Sequence, residues 1–126
     1  MTQQAILEPP ADFPGTRPEW AVWWALTKLG YDFDYQSSQM GGRQERGGAI
    51  LDFYLPEYNL GINIQSLYWH YGRPEGLRND RLQREMMESM GIRITYIDEE
   101  DAIANPIYFV KEAIKGNDFS RMSRGI

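Results

Sequence analysis

Asp52 is the residue of this sequence best suited to chemistry, because its carboxylate interrupts the apolar run AILDFYL. An ionised carboxylate within such a strand costs several kcal/mol unless it pairs with a cation or binds a metal. Since side chains alternate between the two faces of a strand, we expect Asp52 to share a face with Ile50 and Tyr54. The alternative explanations are an ion pair with Arg43 or Arg46, or exposure to solvent on an edge strand.

Two amide side chains, Asn63 and Gln65, interrupt the next apolar run, LGINIQS. They lie two positions apart and therefore on one face of a strand. A four-residue turn at 56–59 joins the two runs, so the hairpin brings these amides near Asp52. Amides in apolar strands need partners. Cross-strand hydrogen bonds between the amides are one interpretation, and a polar pocket at the open end of the sheet is the other.

Glu19 belongs to the start of a helix, because the sequence TRPE places it three residues after Thr16. This spacing is typical of a capping box, and a proline in the first turn loses no hydrogen bond. Apolar residues recur at helical spacing after Glu19, and Gly30 suits the C-terminal end of the helix. The cap alone accounts for Glu19 unless its carboxylate also takes part in a site.

The elements around these residues are both helices and strands. We predict one α/β domain with a mixed β-sheet flanked by helices, in the order α-β-β-β-α-β-α. Strands two and three form an antiparallel hairpin, and strands three and four, joined through a helix, run parallel. The domain covers residues 16–116, with an extended arm at 1–15 and a flexible polar tail at 117–126. The predicted elements are a helix from 16 to 29, strands at 31–36, 49–55 and 60–65, a helix at 79–90, a strand at 92–97 and a helix at 107–115.

The composition limits the kinds of site that the chain can build. It has 126 residues, no cysteine, one histidine and a net charge of −5. Disulfides and thiolate metal sites are excluded, so a bound metal would be a hard cation such as Mg²⁺ on carboxylates. The charge argues against a uniformly basic nucleic-acid surface, although four acidic residues at 98–101 supply most of it. Neither a membrane-spanning segment nor a signal peptide is evident, so we expect a cytoplasmic location and no membrane partner.

The order and spacing of these pieces resemble the PD-(D/E)XK (restriction-endonuclease-like) nuclease superfamily, with the closest likeness to very-short-patch-repair-like endonucleases. The resemblance covers residues 16–116 and rests on order and spacing rather than on any single motif. The segments that carry it are TRPE at 16–19, ILDFYLP at 50–56, LGINIQS at 60–66, YWH at 68–70, RNDR at 78–81, and the helix ending in MG at 90–91 followed by the strand IRITYI.

The resemblance implies Mg²⁺-dependent hydrolysis of DNA phosphodiester bonds. Asp52 matches the metal-binding aspartate, and Glu19 matches a helix glutamate that reaches the metal directly or through water. Gln65 stands where the family has lysine, aspartate or glutamine, and His70 loosely matches a histidine region of the repair enzymes. Asn63 departs from the family, because it replaces the second acid with a neutral amide. Its oxygen can still bind a metal, but the site then carries a charge of −2 and its Mg²⁺ affinity is weakened.

DNA is the partner that the resemblance implies, and its contacts are assigned to Trp69, Arg78 and Arg81. An aromatic ring can stack on a base or wedge into DNA, and arginines can contact phosphates. The alternatives are an ordinary loop role for His70, packing of Trp69 beneath the loop, and pairing of the helix arginines with nearby glutamates. The sequence is also compatible with a homodimer or a larger protein assembly.

Two further interpretations of the whole chain remain. The first is a catalytically inactive nuclease-fold protein that binds DNA or serves as a structural subunit, for example in a viral particle or a nuclease assembly. Asn63 at the position of an acid favours this one. The second is a small α/β interaction module that binds another protein through Tyr68 and Trp69.

Overall fold

A computed structural model describes residues 8–39, 49–66 and 74–124 of the chain, and the side chains of 37–39, 49–50, 74–80 and 124 lie outside that description. The described elements follow in chain order: α1 (Arg17–Leu29), β1 (Asp34–Gln39), β2 (Ala49–Leu55), β3 (Leu60–Gln65), α2 (Pro74–Ser89), β4 (Arg93–Asp98), α3 (Glu99–Ala104), α4 (Pro106–Lys115) and α5 (Arg121–Arg124).

The strands form one four-stranded mixed sheet in the order β1-β2-β3-β4. β2 pairs antiparallel with both β1 and β3, whereas β3 and β4 are parallel. The connection between β3 and β4 contains α2, as expected because parallel neighbours need a crossover. The predicted small α/β domain with a mixed sheet and flanking helices is therefore confirmed.

Several elements differ from the prediction. β1 runs from Asp34 to Gln39 rather than from 31 to 36, because its pairing with β2 starts at Asp34↔Tyr54 and continues to Gln39↔Ala49. α2 begins at Pro74 rather than at 79, and proline is favoured at a first helical position. The acidic run forms the short helix α3 instead of a loop, with three acidic residues in its first turn. Negative charge at a helix N-terminus is stabilised by the helix dipole.

Two clusters of apolar side chains pack on the sheet. The α1-side cluster brings α1, α3 and α4 onto strand residues that include Phe53, Leu55 and Ile62. The α2-side cluster joins Met87 of α2 and Met122 of α5 to side chains of β2 and β4. Both faces of the sheet are thus covered by helices.

The caps of α1 are those that the sequence predicts. The Glu19 N–H donates to the Thr16 hydroxyl at 3.4 Å, and the Thr16 N–H donates to Oε1 of Glu19 at 2.7 Å. Gly30 ends the helix in the left-handed conformation at φ 83°. The capping box fixes Glu19 on the first turn of α1.

The C-terminal segment is packed where the sequence analysis expects a flexible tail. Ser120 and Met122 are each only 1% exposed. The Tyr96 N–H donates to Oδ2 of Asp118 at 2.8 Å, and Arg121 forms an ion pair with Asp98 at 3.3 Å. Met122 is one of few apolar residues in a polar segment, so hydropathy alone does not reveal that this segment joins the core.

Of the helices within the described ranges, none combines the length and the apolar character needed to cross a membrane.

Candidate functional site

β2 and β3 separate at Asp52. Their backbone pairing runs from Leu55↔Leu60 to Phe53↔Ile62. β3 continues beside β4, as far as Gln65↔Asp98, while β2 continues beside β1. The two inner strands of the sheet therefore part at one point.

Side chains bridge the strands where the backbones part. Oδ1 of Asn63 accepts the N–H of Asp52 at 2.9 Å, and Oδ2 of Asp52 accepts the N–H of Ile64 at 2.8 Å. We call these three residues the fork. The Asp52 carboxylate is half-buried there. The hairpin thus brings Asp52 and Asn63 together, as the sequence predicts.

The strand alternation of β2 is broken at Asp52. Phe53 packs in the α1-side cluster, whereas Leu51, two positions away, packs in the α2-side cluster. Residues two apart share a face in a regular strand. The expectation that Asp52 shares a face with Ile50 and Tyr54 assumed regular alternation, which does not hold at this residue.

Gln36 lies in β1 between the pairs Tyr35↔Phe53 and Ser37↔Leu51, at the level of Asp52. Its φ of 54° is left-handed, which is uncommon for a residue other than glycine. The Gln36 Nε2 donates to Oε2 of Glu19 at 3.4 Å and to the Tyr35 hydroxyl at 3.2 Å. The edge strand β1 therefore reaches the carboxylate of Glu19.

The Tyr35 phenol lies beside Glu19 and within the electrostatic range of Asp52. Burial raises the pKa of Tyr35 above its ordinary value, and the charge of Glu19, a hydrogen bond to Glu19 and the charge of Asp52 raise it further. The phenol therefore stays protonated at physiological pH and acts as a hydrogen-bond donor to Glu19. Glu19 and Asp52 lie close enough for one side chain to sense both charges.

Gly15 leaves the space that this arrangement needs. A Cβ at Gly15 would lie 2.1 Å from the Tyr35 hydroxyl oxygen and 2.8 Å from Oε1 of Glu19. Both distances are shorter than a van der Waals contact, so a side chain at Gly15 would clash with these two groups. Glu19, which is half-buried, is thus contacted by groups from the arm, from α1 and from β1, which is more than a helix cap requires.

Gln65 does not join this group. Its side chain is 2% exposed, and its Nε2 donates to Sδ of Met122 at 3.4 Å. Its Oε1 is buried without a hydrogen-bond partner. The amide lies beneath the C-terminal segment, on the α2 side of the sheet, so this conformation does not offer it to a substrate.

Several predicted site residues lie outside the described part of the chain. Tyr68, Trp69 and His70 fall between 66 and 74, Arg43 and Arg46 fall between 39 and 49, and the side chain of Arg78 is not described. Arg81 is half-buried on α2.

Arg84, a neighbour of Arg81 on α2, has partners within the protein. It lies 3.8 Å from Glu88, and its Nη1 donates to Ser123 at 2.9 Å. Its guanidinium also sits 5.5 Å from the centre of the Tyr96 ring. For Arg84, pairing on the protein surface accounts for the charge.

The carboxylates of Asp52 and Glu19 are suited to Mg²⁺. Mg²⁺ takes oxygen ligands, keeps several waters and is commonly bound by one or two carboxylates together with substrate phosphates. Among the described residues, no three acidic or histidine side chains meet in a group that could hold a metal on their own.

Sequence reasoning missed Tyr35, Gln36 and Gly15 as parts of this site. In the sequence, Tyr35 occupies an ordinary apolar position of a strand, and nothing in the sequence signals a left-handed backbone at Gln36.

Comparison of the chain with protein families, with curated proteins and with solved structures finds no match.

Proposed function

We propose that this chain is a DNA-processing protein with a PD-(D/E)XK-like nuclease core, which hydrolyses DNA phosphodiester bonds with Mg²⁺ at the fork. The observation that carries the proposal is the position of Asp52. Its carboxylate lies where the inner strands separate, and Gln36, at the level of Asp52 on the neighbouring strand, contacts Glu19. An acid at an opening in the sheet, with a second acid nearby, is a donor set for a hard cation.

Asp52, Glu19 and Asn63 have distinct roles in this proposal. Asp52 and Glu19 would hold the cation, which activates a water and offsets charge on the phosphate. Asn63 holds the Asp52 backbone in place through its Oδ1, but it adds no charge. Since only two acids contribute, we expect weak Mg²⁺ binding in the absence of DNA.

DNA contacts remain assigned to Trp69, Arg78 and Arg81, on the strength of the sequence resemblance. The acidic run after β4 weighs against DNA binding, but part of its charge is offset. Arg121 pairs with Asp98 and with Glu100. The proposal places the activity in the cytoplasm.

A plasmid nicking assay tests the proposal. Wild-type protein, incubated with supercoiled DNA and Mg²⁺, should produce open circles that EDTA prevents. Asp52→Asn should reduce nicking to background, because the amide removes a charged ligand. Asp34→Asn is the matched control, since Asp34 is an exposed aspartate at the start of β1. Equal nicking by Asp52→Asn and wild type would contradict the role of Asp52.

A second candidate function is DNA binding without cleavage. Two observations favour it: the neutral Asn63 already uses its oxygen on the Asp52 N–H, and Gln65 is buried. Fluorescence anisotropy with labelled DNA in EDTA measures this function directly. Tight binding, together with no nicking by wild-type protein, would favour it over hydrolysis.

A further inference from the structure

We propose that Tyr35 and Gln36 are positioning residues that hold the Glu19 carboxylate toward the fork. This inference rests on the proposed function for its purpose, although the contacts themselves can be tested without metal or DNA. It concerns how Glu19, on a helix, is held beside an acid on a strand.

The backbone of Gln36 is the first observation. Its left-handed φ of 54° carries a conformational cost that persists only where the surroundings enforce it. In a regular strand, Gln36 would point to the face opposite Tyr35. The left-handed conformation instead brings its Nε2 to 3.2 Å from the Tyr35 hydroxyl and 3.4 Å from Oε2 of Glu19. The unfavourable backbone thus accompanies a contact with Glu19.

The packing of Tyr35 is the second observation. Its ring lies 5.6 Å from Phe13, 5.4 Å from Trp23 and 5.2 Å from Phe53, measured between ring centroids. These rings fix the phenol, whose hydroxyl donates to Glu19. A donor on a rigid ring directs its acceptor more strictly than a donor on a mobile side chain can.

The number of donors on Glu19 exceeds what a helix cap needs. A capping box uses one contact from the glutamate, here with the Thr16 N–H. Tyr35 and Gln36 add further donors from a different element, and Gln36 lies at the level of Asp52 in the sheet. Partners of this kind, behind a metal ligand, change metal affinity or activity by about 10–100-fold when removed.

Gln36→Gly and Tyr35→Phe test the inference by isothermal titration with Mg²⁺. Gln36→Gly relieves the left-handed backbone and removes the amide, so it should preserve the melting temperature while weakening Mg²⁺ binding by about 10-fold or more. Tyr35→Phe should weaken it similarly. Asn59→Gly is the matched control, because Asn59 is also left-handed, at φ 49°, but lies in the β2–β3 turn. Mg²⁺ affinities within about twofold of wild type for both site variants would overturn the inference.

A second readout separates this inference from the proposed function. The side-chain carboxyl ¹³C resonance of Glu19 should shift in the metal-free Gln36→Gly and Tyr35→Phe proteins, and it should stay unchanged in Asn59→Gly. If the plasmid nicking assay refutes the proposed function, the ¹³C result still decides whether these residues hold Glu19. An unchanged Glu19 resonance in both site variants would overturn the contact itself.

Discussion

The Asn63 side chain takes the place of a backbone acceptor for Asp52, with its Oδ1 2.9 Å from the Asp52 nitrogen. Asp52 acts in the same way for β3, because its Oδ2 accepts the N–H of Ile64 at 2.8 Å. Unpaired backbone N–H groups in a partly buried sheet are costly. This exchange lets β2 and β3 separate while both N–H groups keep partners, so a polar opening can exist inside a stable sheet.

Asn63→Ala should destabilise the protein by about 1–3 kcal/mol, because the N–H of Asp52 loses its acceptor. Asn63→Asp keeps an oxygen at the same position and should cost less. Urea unfolding of the three proteins measures the difference. An Asn63→Ala protein within about 0.5 kcal/mol of wild type would show that the bond contributes little to the sheet.

Gly61→Ala should destabilise the protein by about 1–3 kcal/mol through overpacking. A Cβ at Gly61 would lie 2.7 Å and 2.8 Å from the two terminal carbons of Leu51, which is fully buried. Shortening Leu51 to valine in the same protein should recover part of the loss. A double-mutant cycle measures this coupling, and strictly additive effects would contradict the close approach of these residues.

The contribution of Tyr35 to stability should decline at high pH. Burial and then Glu19 raise the pKa of its phenol above the ordinary value of about 10. A phenol whose pKa is raised in the folded protein makes its full contribution to the free energy of unfolding at pH values below the unfolded-state pKa. This contribution is lost as the pH rises above about 10. The stability difference between wild type and Tyr35→Phe should therefore narrow in urea unfolding series that cross this pH. A difference that stays constant would indicate an unperturbed phenol.

Arg121→Ala should cost about 3 kcal/mol, because it removes the guanidinium that pairs with the carboxylate of Asp98, and Asp98 is 1% exposed. We expect this loss to lie at the lower end of what breaking a buried ion pair costs, since the backbone N–H of Arg121 still donates to Asp98. Lys115→Ala is the control: the side chain of Lys115 in its pair with Glu112 is 64% exposed, and such pairs contribute little. Thermal unfolding compares the two, and equal small losses would contradict an anchored C-terminal segment.

The parts of the fold that sequence predicts well are those with local causes. The capping box at Thr16 and Glu19 follows from spacing alone, and the bounds of β2 and β3 follow from apolar runs joined by a short turn. The nearness of Asp52 and Asn63 follows from the same hairpin. In each case, neighbours along the chain determine the result.

The missed parts depend on contacts between distant segments. Gln65 is buried because Met122, far along the chain, lies over it. The left-handed Gln36 is found where a glutamate of α1 and a phenol of β1 meet. Propensity and periodicity describe local preferences, so they do not register contacts of this kind.

The initial rate of Mg²⁺-dependent plasmid nicking by Asn63→Asp, wild type and Asp52→Asn tests the central claim most directly. If the fork holds the cation, the rates should fall in that order, because the first variant adds a charged ligand and the last removes one. Asp52→Asn should match the rate measured in EDTA. Indistinguishable rates for all three proteins, or cleavage that persists in EDTA, would contradict a Mg²⁺-dependent site at the fork.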